Sequence, residues 1–178
     1  MPPTGNTWFP LSVGRQWVYR VSGRLAPAAI AAVTVNGTRT RGGREYFVLS
    51  GFPEGDLLVR LGAGGKLIVW NAGNERERLW VDFSAAAGST FPLAGDVESC
   101  TESAEIEARG VEYKGPAATS HEAMRISYTP RCRDAGLVED IVVPGAGLVR
   151  RTWTSLAGPV VWELTRSSLT GSAPGQDK

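Results

Sequence analysis

The chain has 178 residues, of which 42% are hydrophobic and 21% charged. That is enough apolar material for one domain with a real core. The net charge of +1 gives no support to nucleic-acid or anionic-membrane binding through a general electrostatic field. One histidine and two cysteines exclude a four-ligand Cys/His zinc site within one chain, and no sequence motif indicates a cofactor.

Apolar residues alternate with polar ones from end to end, and helical periodicity is nearly absent. The first strand is predicted over 17–21 and the second over 30–35, ending in the turn dipeptide Asn36-Gly37. The run 46–49 is apolar at every position, which is typical of a central strand that is buried on both faces.

The middle of the chain continues the pattern. Strands at 57–61 and 67–70 flank the small residues 62–65, which predicts a β-hairpin. Another strand is expected over 79–83, followed by an irregular stretch at 85–92. In the second half, strands are predicted at 100–108, 124–128, 138–143, 148–153 and 160–165.

This spacing predicts an all-β fold with one antiparallel sheet of about ten strands, closed into a barrel or half-barrel. A β-sandwich remains the alternative, because periodicity alone does not separate the two. We expect residues 1–166 to form a single β domain. Residues 167–178 are polar, contain Gly and Pro, and are predicted to form a flexible tail.

Two phrases in the sequence carry a resemblance. The first, Phe9–Tyr19, reads F-P-L-x-x-G-x-x-W-x-Y, and the second, Val143–Val149, contains P-G-x-G-L-V. Together they resemble a loose group of uncharacterised bacterial secreted proteins and lipoproteins. The resemblance implies an extracytoplasmic β-rich domain and supplies no catalytic residues. The phrases themselves have the composition of folding determinants, with Gly14 allowing a turn and Trp17 and Tyr19 pointing to one core.

The two cysteines, Cys100 and Cys132, each continue the apolar face of a predicted strand. Antiparallel pairing of those strands would bring both sulfurs to the same side of the sheet, so we predict a disulfide. The alternative is two buried thiols. A disulfide would indicate an oxidising compartment.

The sequence contains only weak indications of a catalytic site. His121 is the sole histidine, lies at a loop–strand junction, and is interpreted as a surface residue. No G-x-S-x-G is present. Glu105 and Glu107 are spaced like paired carboxylates, but their strand face is predicted to be solvated, with no apolar surroundings to raise a pKa. The acidic stretch 96–112 is expected to pair instead with basic residues, which are Arg125, Arg131 and Arg133.

The sequence therefore predicts a non-catalytic binding domain, located in the periplasm or outside the cell. Its expected ligand is a lipid, a hydrophobic small molecule or a hydrophobic peptide held in a concave sheet. A structural domain that docks on an envelope protein is the alternative, and a carboxylate-dependent hydrolase is less favoured. No transmembrane segment or leader is visible in this chain. The aromatic residues expected to line a ligand are Trp17, Tyr19, Trp70, Trp80, Trp153 and Trp162.

Overall fold

The computed structural model describes residues 8–23, 28–53, 55–93 and 100–169. Within these ranges the chain forms twelve β-strands and one short 3₁₀ turn at Ala63–Gly65. The strands are β1 Arg15–Gly23, β2 Ala29–Arg41, β3 Arg44–Phe52, β4 Gly55–Gly62, β5 Lys66–Asn71, β6 Arg76–Asp82, β7 Thr90–Pro92, β8 Thr101–Lys114, β9 Thr119–Pro130, β10 Gly136–Val143, β11 Gly147–Thr154 and β12 Val160–Leu169.

All twelve strands belong to one antiparallel sheet, in the order β6-β5-β4-β3-β2-β1-β12-β11-β10-β9-β8-β7. Each half of the chain is a meander of neighbouring strands, and the two meanders join where β1 pairs with β12. Contacts between β6 and β7 bring the two ends of the sheet together, so the sheet is a nearly closed barrel. The predicted all-β antiparallel architecture is confirmed, with two more strands than expected.

Some predicted boundaries differ from the structure. Asn36-Gly37 is not a turn, because β2 continues through it to Arg41 and absorbs an extra residue as a bulge in its pairing with β3. The hairpin turn lies at Gly42-Gly43 instead. β12 runs to Leu169, past the expected boundary at 166, and pairs there with the start of β1. Residues 170–178 of the predicted tail lie outside the described residues.

The inside of the barrel is filled by large side chains. Trp17, Tyr19, Leu49, Trp80 and Ile126 are all almost completely buried. The enclosed space next to them has a volume of about 10 Å³, which is at the limit of what a single water requires. The space enclosed among these side chains is therefore too small for a ligand.

The two sequence phrases noted above meet in space. The indole N–H of Trp17 donates to the carbonyl of Ala146 at 2.8 Å, and the hydroxyl of Tyr19 donates to the carbonyl of Leu148 at 2.9 Å. Gly147 between them has a φ of 85°, and a Cβ there would lie 3.2 Å from the Trp17 indole nitrogen. Glycine is thus favoured at this position both by backbone conformation and by space. The phrases form one clamp that fastens β1 to the turn before β11.

Candidate functional site

An open groove of about 350 Å³ lies at one end of the barrel, beside the β11–β12 hairpin. Its volume is within the range of small-molecule and side-chain binding sites. Its wall combines residues of β10, β11 and β12 with one residue from each of three loops, and none of the lining side chains is ionisable. The lining residues are Pro53, Ala135, Gly136, Trp153, Thr154, Ser155, Val160 and Trp162.

The floor of the groove is aromatic and tightly packed. Trp153 and Trp162 meet edge to face with ring centroids 5.0 Å apart. Trp162 is 6% exposed and also stacks on Phe52 at 6.3 Å and packs against Tyr19 at 5.5 Å. Trp153 is only partly buried and faces the groove. Because each ring is held by another, the groove presents a preformed apolar surface.

A buried ion pair lies directly beneath this floor. Arg151 and Asp140 face each other across β11 and β10, and the guanidinium donates twice to the carboxylate, at 2.7 and 2.6 Å. Their side chains are 1% and 3% exposed. The guanidinium lies 5.0 Å from the centroid of Phe52 and 5.5 Å from that of Trp153. The aromatic floor of the groove therefore rests on a cation.

Two further side chains complete the network. Tyr128 donates its hydroxyl hydrogen to Asp140 at 2.7 Å, and its oxygen accepts from the indole N–H of Trp80 at 3.0 Å. Burial, followed by the nearby Asp140 carboxylate, raises the pKa of Tyr128 well above its usual value, so it stays a neutral donor. We call Asp140, Arg151, Tyr128 and Trp80 the inner cluster. Both carboxylate oxygens are engaged and buried, so the cluster fixes the geometry of the groove floor.

The far wall of the groove is held by the disulfide. Cys100 and Cys132 are bonded, as predicted, with Cα atoms 4.9 Å apart. The amide of Arg131 donates to the carbonyl of Cys100 at 2.6 Å. Gly136 has a φ of 130°, and a Cβ there would lie 2.8 Å from the Cys100 carbonyl oxygen. The bond and this close packing fix Ala135 and Gly136, the first residue of β10, against the start of β8.

The near wall ends in a tight turn. Ser155 and Gly158 exchange both backbone hydrogen bonds, at 3.2 and 2.8 Å, and the Ser155 hydroxyl donates to the Gly158 carbonyl at 2.8 Å. Leu156 projects from this turn and is 91% exposed. Single exposed apolar residues are common, but here a leucine stands on a fixed turn next to an apolar groove.

Of the six aromatic residues predicted to line a ligand, the groove contains Trp153 and Trp162. Trp17, Tyr19 and Trp80 are buried inside the barrel, where they form the core. Trp70 lies half-buried on the outer face and packs against Tyr46 at 5.7 Å. The aromatic character of these residues did not by itself distinguish positions in the core from positions in the groove.

The other candidates lie on the surface. His121 is exposed on β9, and Glu105 and Glu107 are exposed on β8. Glu107 lies 3.7 Å from Arg125, which also pairs with Glu139 at 3.2 Å, so the expected charge pairing between the acidic and basic stretches holds for Arg125. Residues 96 and 98 of the acidic stretch lie outside the described residues.

A second carboxylate network lies on the outside of the barrel. Glu77 on β6 accepts from the Tyr46 hydroxyl at 2.5 Å, from Arg60 at 2.5 and 2.9 Å, and from Arg44. The Arg60 guanidinium, and then the Tyr46 hydroxyl, lower the pKa of Glu77 to about 2 against the opposing effect of burial. We call Glu77, Tyr46, Arg60 and Arg44 the outer cluster.

Sequence reasoning missed Asp140 and Arg151. Alternation singles out Arg151, which shares its strand parity with Val149 and Trp153. It does not single out Asp140, because β10 is apolar at both parities and also carries Glu139. The buried pair follows from the register of β10 and β11.

Across the described ranges, no group of three or more His, Cys, Asp or Glu side chains could hold a metal ion. In those same ranges no helix has the length and apolar character needed to cross a membrane.

No protein-family model matches the sequence, and no curated protein matches it significantly. Solved structures do match the fold. One is a protein from Bacteroides fragilis, inferred to be exported and described as having a YmcC-like fold. It has 13% sequence identity and a TM-score of 0.54, and the match covers 91% of this chain and 99% of that one. Another is a protein from Parabacteroides distasonis, inferred to be a lipoprotein, with 13% identity, a TM-score of 0.50 and the same coverage.

Proposed function

We propose that the chain is an extracytoplasmic binding domain whose groove takes an apolar side chain of a polypeptide partner, and that it does so without catalysis. The observation that carries this is the preformed aromatic floor of Trp153 and Trp162 at one end of a barrel whose interior holds many large buried side chains. An open groove suits a side chain of a polypeptide better than a small molecule, because enclosed sites cover most of a small ligand's surface.

Two observations support the extracytoplasmic location. The Cys100–Cys132 disulfide is the form that cysteines take in oxidising compartments. The solved structures with the same fold are described as an exported protein and a lipoprotein.

We also propose membership of the group of bacterial secreted proteins and lipoproteins that the two sequence phrases resemble. Support comes from the clamp in which those phrases bond to each other across 129 positions of the chain. Residues that meet so specifically give a physical reason for the two phrases to occur together.

The proposal of no catalysis rests on the chemistry of the groove. Its lining offers the hydroxyls of Thr154 and Ser155, and the Ser155 hydroxyl is already donated to the turn. The carboxylate of Asp140, which lies beneath the floor, is bound on both oxygens. A hydrolase would need a base within hydrogen-bond reach of a reacting atom.

The test is an NMR titration with N-acetyl-leucine amide, using N-acetyl-serine amide as the polar control. The indole N–H signals of the six tryptophans give site-specific readouts. We expect the leucine probe to shift the signals of Trp153 and Trp162 and to leave Trp17 and Trp70 unchanged. Trp153→Ala should abolish the response, whereas the matched outer-face variant Trp70→Ala should retain it. Equal responses to both probes, or none up to the solubility limit, would contradict the proposal.

A further inference from the structure

We infer that a second copy of this chain is one partner of the groove, with Leu156 of each copy inserted into the groove of the other. This inference rests on the proposed function and names the occupant. Leu156 is 91% exposed, which makes it the most exposed of the large hydrophobic residues in the described part of the chain.

The turn that carries Leu156 is rigid. Its two backbone hydrogen bonds and the Ser155 hydroxyl bond leave little freedom for the leucine to fold back. The groove begins at Ser155, the residue before it, yet the leucine stays in solvent. A preformed turn loses little conformational entropy when it binds, so it is suited to insertion into another molecule.

The protruding leucine and the groove are neighbours on one surface. In a two-fold symmetric dimer the same patch serves both copies, so a protrusion beside a complementary groove satisfies both contacts in a single interface. A leucine side chain is apolar and fits within a groove of about 350 Å³. Its contacts there would be the rings of Trp153 and Trp162.

Charge does not oppose this contact. Identical surfaces that meet bring like charges together, which is the usual obstacle to self-association. The eight lining residues include no ionisable side chain, so neither repulsion nor charge desolvation arises at the groove itself. The charge of Arg151 beneath the floor is neutralised by Asp140.

The test measures self-association of the purified chain by sedimentation velocity over a wide concentration range. Two leucines form a small interface, so we expect weak, concentration-dependent dimerisation. Leu156→Ser should raise the dimer dissociation constant at least tenfold. The control is Ile30→Ser, which removes another strongly exposed residue, 71% exposed, on β2. It should leave the constant unchanged.

A mixing experiment tests whether the leucine of one copy enters the groove of another, and it does not depend on one variant. Leu156→Ser keeps the groove and loses the protrusion, whereas Trp153→Ala keeps the protrusion and loses the groove floor. Each alone should remain monomeric, but their mixture restores one intact contact and should associate more tightly than either. Equal behaviour of the mixture and its components would overturn the insertion of Leu156 into the groove of a second copy.

The results also separate this inference from the proposed function. N-acetyl-leucine amide could shift the indole N–H signals of Trp153 and Trp162 while the wild-type chain stays monomeric at every concentration. That result would support the groove as a binding site and exclude a second copy as its occupant. A dimer that Leu156→Ser does not weaken excludes it as well. Absence of both probe binding and dimerisation would overturn the groove itself.

Discussion

The inner and outer clusters use the same chemistry in two environments. In each, a carboxylate accepts a tyrosine hydroxyl and two hydrogen bonds from one arginine. The inner pair is 1% and 3% exposed, whereas Arg60 and Glu77 of the outer cluster are 21% and 22% exposed. The inner arginine is also flanked by the rings of Phe52, Trp80 and Trp153.

From this difference we expect burial, and not the number of hydrogen bonds, to decide how much stability is lost when such a network is broken. Removing one partner of the inner pair leaves a charge that water cannot reach. Removing one partner of the partly exposed outer pair leaves a charge that water can reach, so the expected loss is smaller.

The largest expected effect is on the inner cluster. Arg151→Met should lower the free energy of unfolding by about 3–5 kcal/mol, because Asp140 is left charged in the core. The matched variant Arg60→Met in the outer cluster should cost about 1 kcal/mol or less. Urea unfolding followed by tryptophan fluorescence measures both.

A second substitution checks the cause. Adding Asp140→Leu to Arg151→Met removes the stranded charge and should recover at least about 1 kcal/mol. If the two matched arginine variants lose equal stability, burial is not the deciding factor.

The tyrosines allow a finer comparison. Tyr128→Phe should cost about 1–3 kcal/mol, because the indole N–H of Trp80 loses its acceptor in the core and Asp140 loses a donor. Tyr46→Phe removes one bond to a partly exposed carboxylate and should cost about 1 kcal/mol. Thermal unfolding of both variants at neutral pH gives the difference, and the reverse order would contradict it.

The contribution of the outer cluster to the free energy of unfolding should decrease in acid. The pKa of Glu77 falls from an ordinary value of 4.5 to about 2 in the folded protein. A lowered folded-state pKa means that the stabilisation is fully present above pH 4.5 and is lost as the pH falls through about 2. Glu77→Gln should therefore cost on the order of 1–2 kcal/mol at neutral pH and almost nothing near pH 2. Unfolding curves across this range measure it, and a pH-independent difference would count against it.

The smallest expected effect is that of salt on the stability of the variants. Raising NaCl to about 1 M should reduce the stability difference between wild type and Arg60→Met by a few tenths of a kcal/mol, because the ions screen the partly exposed pair. The difference for Arg151→Met should not change. A salt response of the inner variant would indicate that water reaches the pair.

The fold was predictable from the sequence because strand periodicity is a local property. Alternating runs located nearly all the strands, and the parity of Cys100 and Cys132 anticipated their bond. The failures are places where tertiary pairing overrides local preference. Asn36-Gly37 favours a turn, but the pairing of β2 with β3 continues through it as a bulge. β7 is only three residues long and lies in a stretch that shows no alternation.

The site was harder to predict, because a groove is formed by residues distant in the sequence. Trp153 and Trp162 were candidates, but nothing local distinguishes them from Trp17 and Trp80, which face the closed interior. Pro53 and Ala135 come from separate loops, and their place in the groove follows only from closure of the sheet.

The single seam between β1 and β12 has a kinetic consequence. Every other neighbour in the sheet is also a neighbour along the chain, so each meander can form by short loop closures. The seam alone must bring together the first and last strands, and the Trp17–Ala146 bond of its clamp spans 129 positions. Contacts so distant in sequence slow folding. We therefore expect the two half-sheets to form quickly during refolding. Their docking along the pairing of β1 with β12 is expected to be a later and slower step, and the clamp is expected to form last.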